Sequence, residues 1–186
     1  MGYVKWSHET LNHFCGDVFK AFGFTEEESN QIKDVLLTAD LYGIESHGMQ
    51  RMVRYHKGIE KGTIHPQAKP EIVFETPISA VIDGHNGMGQ LISVYAMKKA
   101  IEKAKKTGVG IVTVRESNHF GIAGYYAKKM GLPIKTLVCA SNSNNVLTDF
   151  LKSGKYDKNR KFYTTTSPSM DILISSNLER LLYHIS

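Results

Sequence analysis

Residues 79–114 read SAVIDGHNGMGQLISVYAMKKAIEKAKKTGVGIVTV, and this stretch decides the fold. SAVIDG is rich in β-forming residues, LISVYAMKKAIEKAKK has the apolar face of a long helix, and VGIVTV is typical of a mostly buried strand. Glycines at positions 84, 87 and 89 predict a turn before the helix, and Gly108 ends the helix. The order strand, helix, strand predicts an α/β layer with crossover connections.

The residues before this stretch predict one further strand and a helical block. EIVFET, at residues 71–76, is a second β-rich run, separated from SAVIDG by Pro77. Three helices are predicted before it: residues 7–22 capped by Ser7, a helix opened by the capping-box pair Thr25 and Glu28, and residues 46–59. The predicted fold class is therefore α/β, with an N-terminal helical block followed by an α/β layer of mixed or parallel strands.

The residues after this stretch predict a helix and then a second α/β segment. The loop ESNHFG leads into a helix in IAGYYAKKM, and the pattern starts again after Gly131. The expected elements are a strand in IKTLVCAS, a short helix in NNVLTDFLKSG, an extended run in KFYTTT and a terminal helix from Ser167. We therefore expect three segments: helical 1–66, α/β 67–130 and α/β 131–186.

The composition is that of an ordinary globular protein. The chain has 186 residues, 41% hydrophobic and 22% charged, which excludes collagen-like and wholly disordered chains. Apolar runs are short and interrupted by charge, and the N-terminus has no signal-peptide pattern, so we expect no membrane segment and no secretion. The net charge of +5 is not arranged as a basic stripe with interleaved aromatic residues, so we expect no nucleic-acid partner.

The cysteines predict a reducing compartment. Cys15 and Cys139 are the two cysteines, they lie far apart, and neither forms a CxxC pair. A disulfide framework needs more cysteines, so we expect two reduced, largely buried thiols in the cytoplasm. The histidines outside the motifs described below show no metal-ligand spacing, so we expect no metal.

The first candidate for chemistry is Ser46-His47-Gly48 followed by Arg51 and Arg54. A helix would present His47, Arg51 and Arg54 on one side, because they are four and then three residues apart. An arginine binds a carboxylate through two parallel hydrogen bonds, and a histidine exchanges a proton with a neighbouring carbonyl oxygen. The motif therefore suits a substrate with a carboxylate beside a carbonyl, and the alternative is a solvated basic helix face.

The second candidate is Ser117-Asn118-His119-Phe120-Gly121, at the end of a predicted strand. Loops at the carboxyl ends of parallel strands are where α/β proteins bind ligands. His119 would assist proton transfer or form a hydrogen bond with a ligand there. The alternative is a capping loop with a structural histidine.

The third candidate is the glycine-rich turn over residues 84–90, GHNGMGQ. A helix amino end after such a turn favours an anion, so the turn resembles one that holds a phosphate. It matches neither the dinucleotide-binding fingerprint nor the P-loop, which favours a plain strand-to-helix turn.

Taken together, these motifs resemble the malate/L-lactate dehydrogenase family of the non-Rossmann type. The resemblance runs over about residues 5–127 and rests on ADLYGIESHGMQRMVRYHKGIEKGTIHP, VIDGHNGMGQLISVYAMKKAIEKAK and GVGIVTVRESNHFGIAGYYA. It implies NAD- or NADP-dependent interconversion of 2-hydroxy acids and 2-oxo acids by a homodimer. His47 is then the proton donor and acceptor, and His119 lies in the active-site loop. Arg51 binds the substrate carboxylate with Arg54 beside it, and Ser117 and Gly121 are candidate cofactor contacts.

From about residue 124 to residue 186 the chain resembles a different enzyme, threonine synthase, which uses pyridoxal phosphate. NNVLTDFLKSG and SPSMDILISSNLERLLYHIS carry this resemblance, and the two sequences share GYYAKK. We therefore interpret the chain as a chimera joined near Tyr125. The threonine synthase lysine that binds the cofactor lies upstream of the shared part in that family, so we do not expect pyridoxal phosphate here.

Three functions follow as hypotheses. The first is a 2-hydroxy acid oxidoreductase that retains part of its substrate site but has weak or no turnover, because the family's main cofactor loops lie beyond the point where the sequences diverge. The second is a non-catalytic protein that presents a surface built from enzyme fragments to a protein partner. The third is a pyridoxal-phosphate enzyme related to threonine synthase.

Overall fold

The structure, a computed structural model, describes residues 4–129. Its contacts divide the chain into two compact units, Met1–Tyr126 and Ala127–Ser186. The elements predicted after Gly131, together with Cys139, lie outside the described residues. Among the helices of residues 4–129, none is long and apolar enough to cross a membrane.

The first two predicted helices are confirmed, and their first turns are capped as the sequence predicts. Helix α1 spans His8–Ala21, and the Ser7 hydroxyl accepts a hydrogen bond from the Thr10 amide at 3.1 Å. Helix α2 spans Glu26–Leu41 behind a complete capping box. The Thr25 hydroxyl accepts from the Glu28 amide at 3.2 Å, and the Glu28 carboxylate accepts from the Thr25 amide at 3.0 Å. These bonds satisfy amide donors that a helix leaves unpaired.

The third predicted helix, over residues 46–59, is wrong in its first part. Two 3₁₀ turns, Glu45–His47 and Met49–Arg51, precede helix α3, which spans Met52–Glu60. Gly48 separates the turns with an extended backbone of φ −90° and ψ −149°. Helix periodicity did not reveal this break, because its cause is a contact with the preceding helix.

That contact is made by Asp40, near the end of α2. Its carboxylate accepts a hydrogen bond from the Met49 amide at 2.8 Å. A Cβ atom on Gly48 would lie 1.8 Å from the Asp40 Oδ1 atom, so glycine is needed at this close approach. The pairing of Asp40 with Met49 therefore ends the turn that carries His47 and starts the one that carries Arg51.

The core of the helical block extends into the α/β layer. Helices α1, α2 and α3 pack around buried apolar side chains, and Met88, just before the next helix, joins the same cluster. The buried members are Cys15, Phe19, Phe24, Ile32, Leu36, Leu37, Met52, Tyr55, Ile64 and Met88. The apolar surface that these side chains remove from water is the main source of stability for this packing.

The α/β layer is a three-stranded mixed sheet with one crossover helix. Strand β1 (Glu71–Glu75) pairs antiparallel with β2 (Ser79–Gly87), and β2 pairs parallel with β3 (Ile111–Ser117) in the order β1-β2-β3. Helix α4 (Gly89–Thr107) connects the parallel pair and packs against it. The predicted α/β class, with a helical block before a layer of mixed strands, is confirmed.

Two details of the predicted layer are wrong. VGIVTV was expected to be mostly buried, but β3 is exposed at every position except the half-buried Val112. In the described part of the chain β3 is an edge of the sheet, and α4 is the helix that packs against it. The turn expected from Gly84 is part of β2, which continues to Gly87 through a break in the strand register.

Helix α5 spans Ala123–Lys129 and contains the predicted junction between the two resemblances. Its first residues belong to the unit that ends at Tyr126. The Tyr125 hydroxyl donates a hydrogen bond to the Asp34 carboxylate of α2 at 2.6 Å. Tyr126 is buried, and its hydroxyl donates to the Phe120 carbonyl. The residues at the junction are therefore packed and hydrogen-bonded within the first unit.

Candidate active site

His47 lies in the first 3₁₀ turn, where it is 5% exposed. Its Nδ1 atom is hydrogen-bonded to the Ser46 hydroxyl at 2.9 Å. A buried imidazole held by a neighbouring hydroxyl has a defined orientation, which proton exchange with a ligand requires. The alternative for this motif, a basic helix face exposed to solvent, is wrong for His47 because this residue is buried.

Arg51 and Arg54 do not share one helix with His47. Arg51 ends the second 3₁₀ turn, and its Nε atom donates to the Ser46 carbonyl. Arg54 is exposed on α3. The predicted spacing over a single helix is therefore wrong, because Gly48 interrupts it. The fold nevertheless brings all three side chains close enough to His119 to act on it electrostatically.

The loop after β3 carries His119 and is held by its neighbour Asn118. The Asn118 side-chain amide donates to three backbone carbonyls at 2.9–3.1 Å, those of Thr63, Asn86 and Gly87. These bonds connect the loop to the end of β2 and to the segment after α3. The loop conformation is thus set by contacts from other elements.

The pKa of His119 is shifted by its surroundings. Burial lowers the pKa of His119 from its ordinary value of 6.5 to about 3, and repulsion from His47 and the two arginines adds to this. The ring is therefore neutral at pH 7. Its centroid lies 5.2 Å from that of His47, with the two planes 33° apart.

The two nitrogens of His119 have different environments. Nδ1 is 2.7 Å from the Tyr55 hydroxyl. Nε2 is buried, and no hydrogen-bond partner for it exists among the described residues. A buried polar atom without a partner costs about 1–3 kcal/mol. Ser29 Oγ and Gln90 Oε1 are also buried without a partner among the described residues, and His119 Nε2 is the one of the three on a ring beside His47, which makes it a candidate ligand position.

Two residues of this site were missed by the sequence analysis. Tyr55 is 1% exposed and Gln90 is fully buried, and the Gln90 amide donates to the Tyr55 hydroxyl at 2.8 Å. Tyr55 has the apolar periodicity of a core position, so the pattern did not distinguish it from packing residues. Gln90 carried a weak signal, an amide at the start of a long helix behind the glycine-rich turn.

The end of the glycine-rich segment packs against the loop that carries His119. Helix α4 begins at Gly89, where a Cβ atom would lie 2.2 Å from the Asn118 carbonyl oxygen and 2.4 Å from the His119 carbonyl oxygen. The loop that carries His119 therefore packs against the first residue of this helix. Residues 84–87 belong to β2 and α4 begins at Gly89, so the strand-to-helix turn favoured by the sequence is limited to Met88.

Ser117 and Gly121 stay predicted cofactor contacts. Ser117 is exposed, and its hydroxyl donates a long hydrogen bond of 3.5 Å to the Asn118 carbonyl. Gly121 has φ +86°, and a Cβ atom there would lie 2.4 Å from Val35 Cγ1. The side chain of Val35 therefore fills the space beside Gly121.

Other reactive groups of the described residues do not form a second site. No group of three or more potential metal ligands occurs within residues 4–129. Cys15 is buried, its Sγ lies 3.5 Å from Met52 Sδ, and burial raises the pKa of its thiol to about 11. Such a thiol is a poor nucleophile at neutral pH.

Comparison with known proteins gives a family match over most of the chain. The family described as malate/L-lactate dehydrogenase matches residues 6–147. The malate dehydrogenase of Pyrococcus abyssi is 50% identical over 125 residues, which cover 67% of this chain and 34% of that protein. The solved structure of malate dehydrogenase from Pyrococcus horikoshii OT3 superposes with a TM-score of 0.66 at 43% identity, covering 69% of this chain and 38% of that one. The chain thus spans about a third of the length of these relatives.

A second comparison concerns the C-terminal part of the chain. Threonine synthase of Saccharomyces cerevisiae is 57% identical over 72 residues, which cover 38% of this chain and 14% of that protein. This similarity falls in the C-terminal part, so the chain joins sequences similar to two different enzymes, as the sequence analysis predicted.

Proposed function

This chain belongs to the malate/L-lactate dehydrogenase family, and on that premise we propose that residues 4–129 form the substrate side of a site for interconverting 2-hydroxy acids and 2-oxo acids. The observation that carries the proposal is the buried, unpartnered Nε2 atom of His119, on a ring 5.2 Å from that of His47. In an otherwise packed interior, a neutral donor beside a second imidazole suits the oxygen on C2 of such an acid.

The roles of the polar side chains follow from charge and position. Arg51, which is partly buried, binds the C1 carboxylate, and the exposed Arg54 attracts a second anionic group such as the other carboxylate of a dicarboxylic acid. His47 exchanges a proton with the C2 oxygen: it gives one when a 2-oxo acid is reduced and takes one when a 2-hydroxy acid is oxidised. His119 assists by donating a hydrogen bond to the same region.

The partner in this chemistry is a nicotinamide cofactor, NAD or NADP, which supplies or receives the hydride at C2. Because the C-terminal part of the chain is similar to threonine synthase and not to the dehydrogenases, we propose that this chain binds the acid but turns it over weakly or not at all. We further propose a homodimer and a cytoplasmic location. The unreactive, buried Cys15 thiol is compatible with a reducing compartment.

Calorimetric titration of the full chain with L-malate and with succinate, which lacks the C2 oxygen, tests the binding proposal. We expect malate to bind about fivefold more tightly than succinate, because one neutral hydrogen bond to the C2 oxygen is worth about 1 kcal/mol. His47→Gln should remove most of this difference. Arg51→Lys should weaken the binding of both acids alike, because both have the carboxylate that Arg51 binds, and His13→Gln, an exposed change on α1, should change neither affinity. Equal affinity for both acids would overturn the proposal.

Oxidation of NADH and NADPH in the presence of oxaloacetate or pyruvate tests the turnover proposal. We expect rates near the background. Robust turnover that is lost in His47→Gln would show that the chain holds its cofactor, which contradicts the weak-activity proposal and supports the role of His47. If the acids do not bind while a protein partner does, irrespective of His47, Arg51 and His119, the non-catalytic alternative replaces this function.

A further inference from the structure

We propose that Tyr55 and Gln90 are positioning residues that keep the proton of neutral His119 on Nε2, so that this nitrogen is a hydrogen-bond donor to the ligand. The inference deepens the proposed function and rests on it for the nature of the ligand. It concerns a buried chain of three side chains, each on a different element: Gln90 on α4, Tyr55 on α3 and His119 on the loop after β3.

The direction of the hydrogen bonds follows from which atoms donate. Gln90 Nε2 donates to the Tyr55 hydroxyl oxygen at 2.8 Å. The hydroxyl has a single proton, and His119 Nδ1 lies 2.7 Å from the same oxygen. With the oxygen accepting from Gln90, its proton points to Nδ1, and Nδ1 accepts. A neutral imidazole that accepts at Nδ1 carries its proton on Nε2.

Burial makes this arrangement persistent. Tyr55 and Gln90 are 1% and 0% exposed, so neither exchanges its partner for bulk water. Burial also raises the pKa of the Tyr55 hydroxyl above its ordinary value of 10, so it keeps its proton at any working pH. His119 is neutral above about pH 3, so its ring carries a single proton. While that proton is on Nε2, Nδ1 cannot donate a hydrogen bond to Tyr55.

The consequence is a preference among ligands. The Nε2 atom of His119 is buried without a partner in the described residues, so its N–H group has no acceptor there and a ligand would supply one. The carbonyl oxygen of a 2-oxo acid is purely an acceptor, and a 2-hydroxyl group must turn its own proton away to accept. The hydrogen bonds among Gln90, Tyr55 and His119 therefore favour binding of the 2-oxo acid over binding of the matching 2-hydroxy acid.

The nitrogen NMR spectrum of His119 in the full chain, recorded without ligand, tests the proton position directly. We expect Nδ1 to have the shift of an unprotonated nitrogen and Nε2 that of a protonated one, with one tautomer populated. Tyr55→Phe keeps the ring and removes the hydroxyl, so it should give a mixture of tautomers. Tyr95→Phe, on the same helix as Gln90 and beside Lys99, is the matched control and should leave the spectrum unchanged.

Titration with the 2-oxo acid oxaloacetate and with L-malate tests the consequence. We expect Tyr55→Phe to weaken oxaloacetate binding about fivefold, the worth of one neutral hydrogen bond, with a smaller change for malate. Gln90→Met, which removes the amide and keeps a similar volume, should shift the tautomer ratio in the same direction. It keeps the inference falsifiable if the tyrosine variant does not fold.

The outcomes separate this inference from the proposed function. A proton on Nδ1 in the unliganded chain, or one unchanged tautomer in both variants, overturns the positioning role even if the acids bind. A proton on Nε2 that responds to both variants supports the role even if neither acid binds, in which case only the proposed function fails.

Discussion

The two histidines of the site are carried by segments that are held in different ways. The turn over residues 44–51, with His47, is held from nearby in the sequence: Asp40 accepts the amide proton of Met49, nine residues later. The loop over residues 118–122, with His119, is held by bonds from Asn118 to three carbonyls that lie 31 to 55 residues away.

This difference shows what each half of the site depends on. The His47 turn needs the end of α2 and a glycine at position 48, both within one short stretch of chain. The His119 loop needs β2, α4 and the segment after α3 to be in place first. We therefore expect changes in the loop contacts to cost more stability than changes in the turn contacts.

Gly89→Ala should have the largest effect, because it pushes a Cβ atom into the backbone carbonyls of residues 118 and 119. Overpacking against backbone, which has little freedom to move, should lower the free energy of unfolding by about 3 kcal/mol. Urea unfolding of the full chain followed by far-ultraviolet circular dichroism measures this. Gly124→Ala, where nothing lies within 4 Å of the new Cβ, is the control and should not be destabilising. A wild-type midpoint for Gly89→Ala would contradict the packing of the loop on α4.

Asn118→Ala should be the next most damaging change, because it leaves the carbonyls of Thr63, Asn86 and Gly87 without their common donor. The expected loss is about 2 kcal/mol, together with faster amide hydrogen exchange in the loop. Asn30→Ala, an exposed change on α2, should change neither quantity. Equal exchange rates in wild type and Asn118→Ala would show that other contacts hold the loop.

Acid should destabilise the protein through His119. The folded pKa of His119 is about 3 and the ordinary value is 6.5, so between these values the unfolded chain binds the extra proton. The contribution of His119 to the free energy of unfolding is fully present above pH 6.5. It decreases as the pH falls, by about 2 kcal/mol from pH 7 to pH 5. Urea unfolding of wild type and His119→Gln across this range measures the difference. Parallel pH curves for the two proteins would contradict it.

Asp40→Ala should have the smallest of these effects, because it affects the locally held turn. One hydrogen bond to the Met49 amide is lost, for which we expect about 1 kcal/mol. Asp40→Asn keeps an acceptor oxygen and should stay close to wild type in urea unfolding. If Asp40→Ala proved more destabilising than Asn118→Ala, the ranking of the two segments would be reversed.

Much of the fold was predictable because its signals are local. The capping box at Thr25 and Glu28, the periodicity of α1 and α2, and the strand, helix, strand order of residues 79–114 all appear in the structure. The break at Gly48 was not predictable from periodicity, since it depends on Asp40 in a neighbouring helix. The exposure of β3 was also missed, because an apolar strand has the same pattern at an edge as in the centre of a sheet.

The candidate site was predictable in part. His47, Arg51, Arg54 and His119 were selected by residue type and motif, and the fold brings the first three within electrostatic range of His119. Their cofactor and substrate roles stay predictions. Tyr55 and Gln90 were not selected, because the role of each polar group depends on its hydrogen-bond partner, and the sequence does not show which residue that partner is.

The sequence by itself determined the order of elements, the family and the residue types that chemistry requires, because capping, periodicity and motif spacing are properties of neighbouring residues. Only the tertiary structure decided that His119 is neutral, that its Nδ1 atom faces Tyr55 and that its Nε2 atom is without a partner. Those properties depend on burial and on hydrogen bonds between residues 35 to 64 positions apart, which no local pattern encodes.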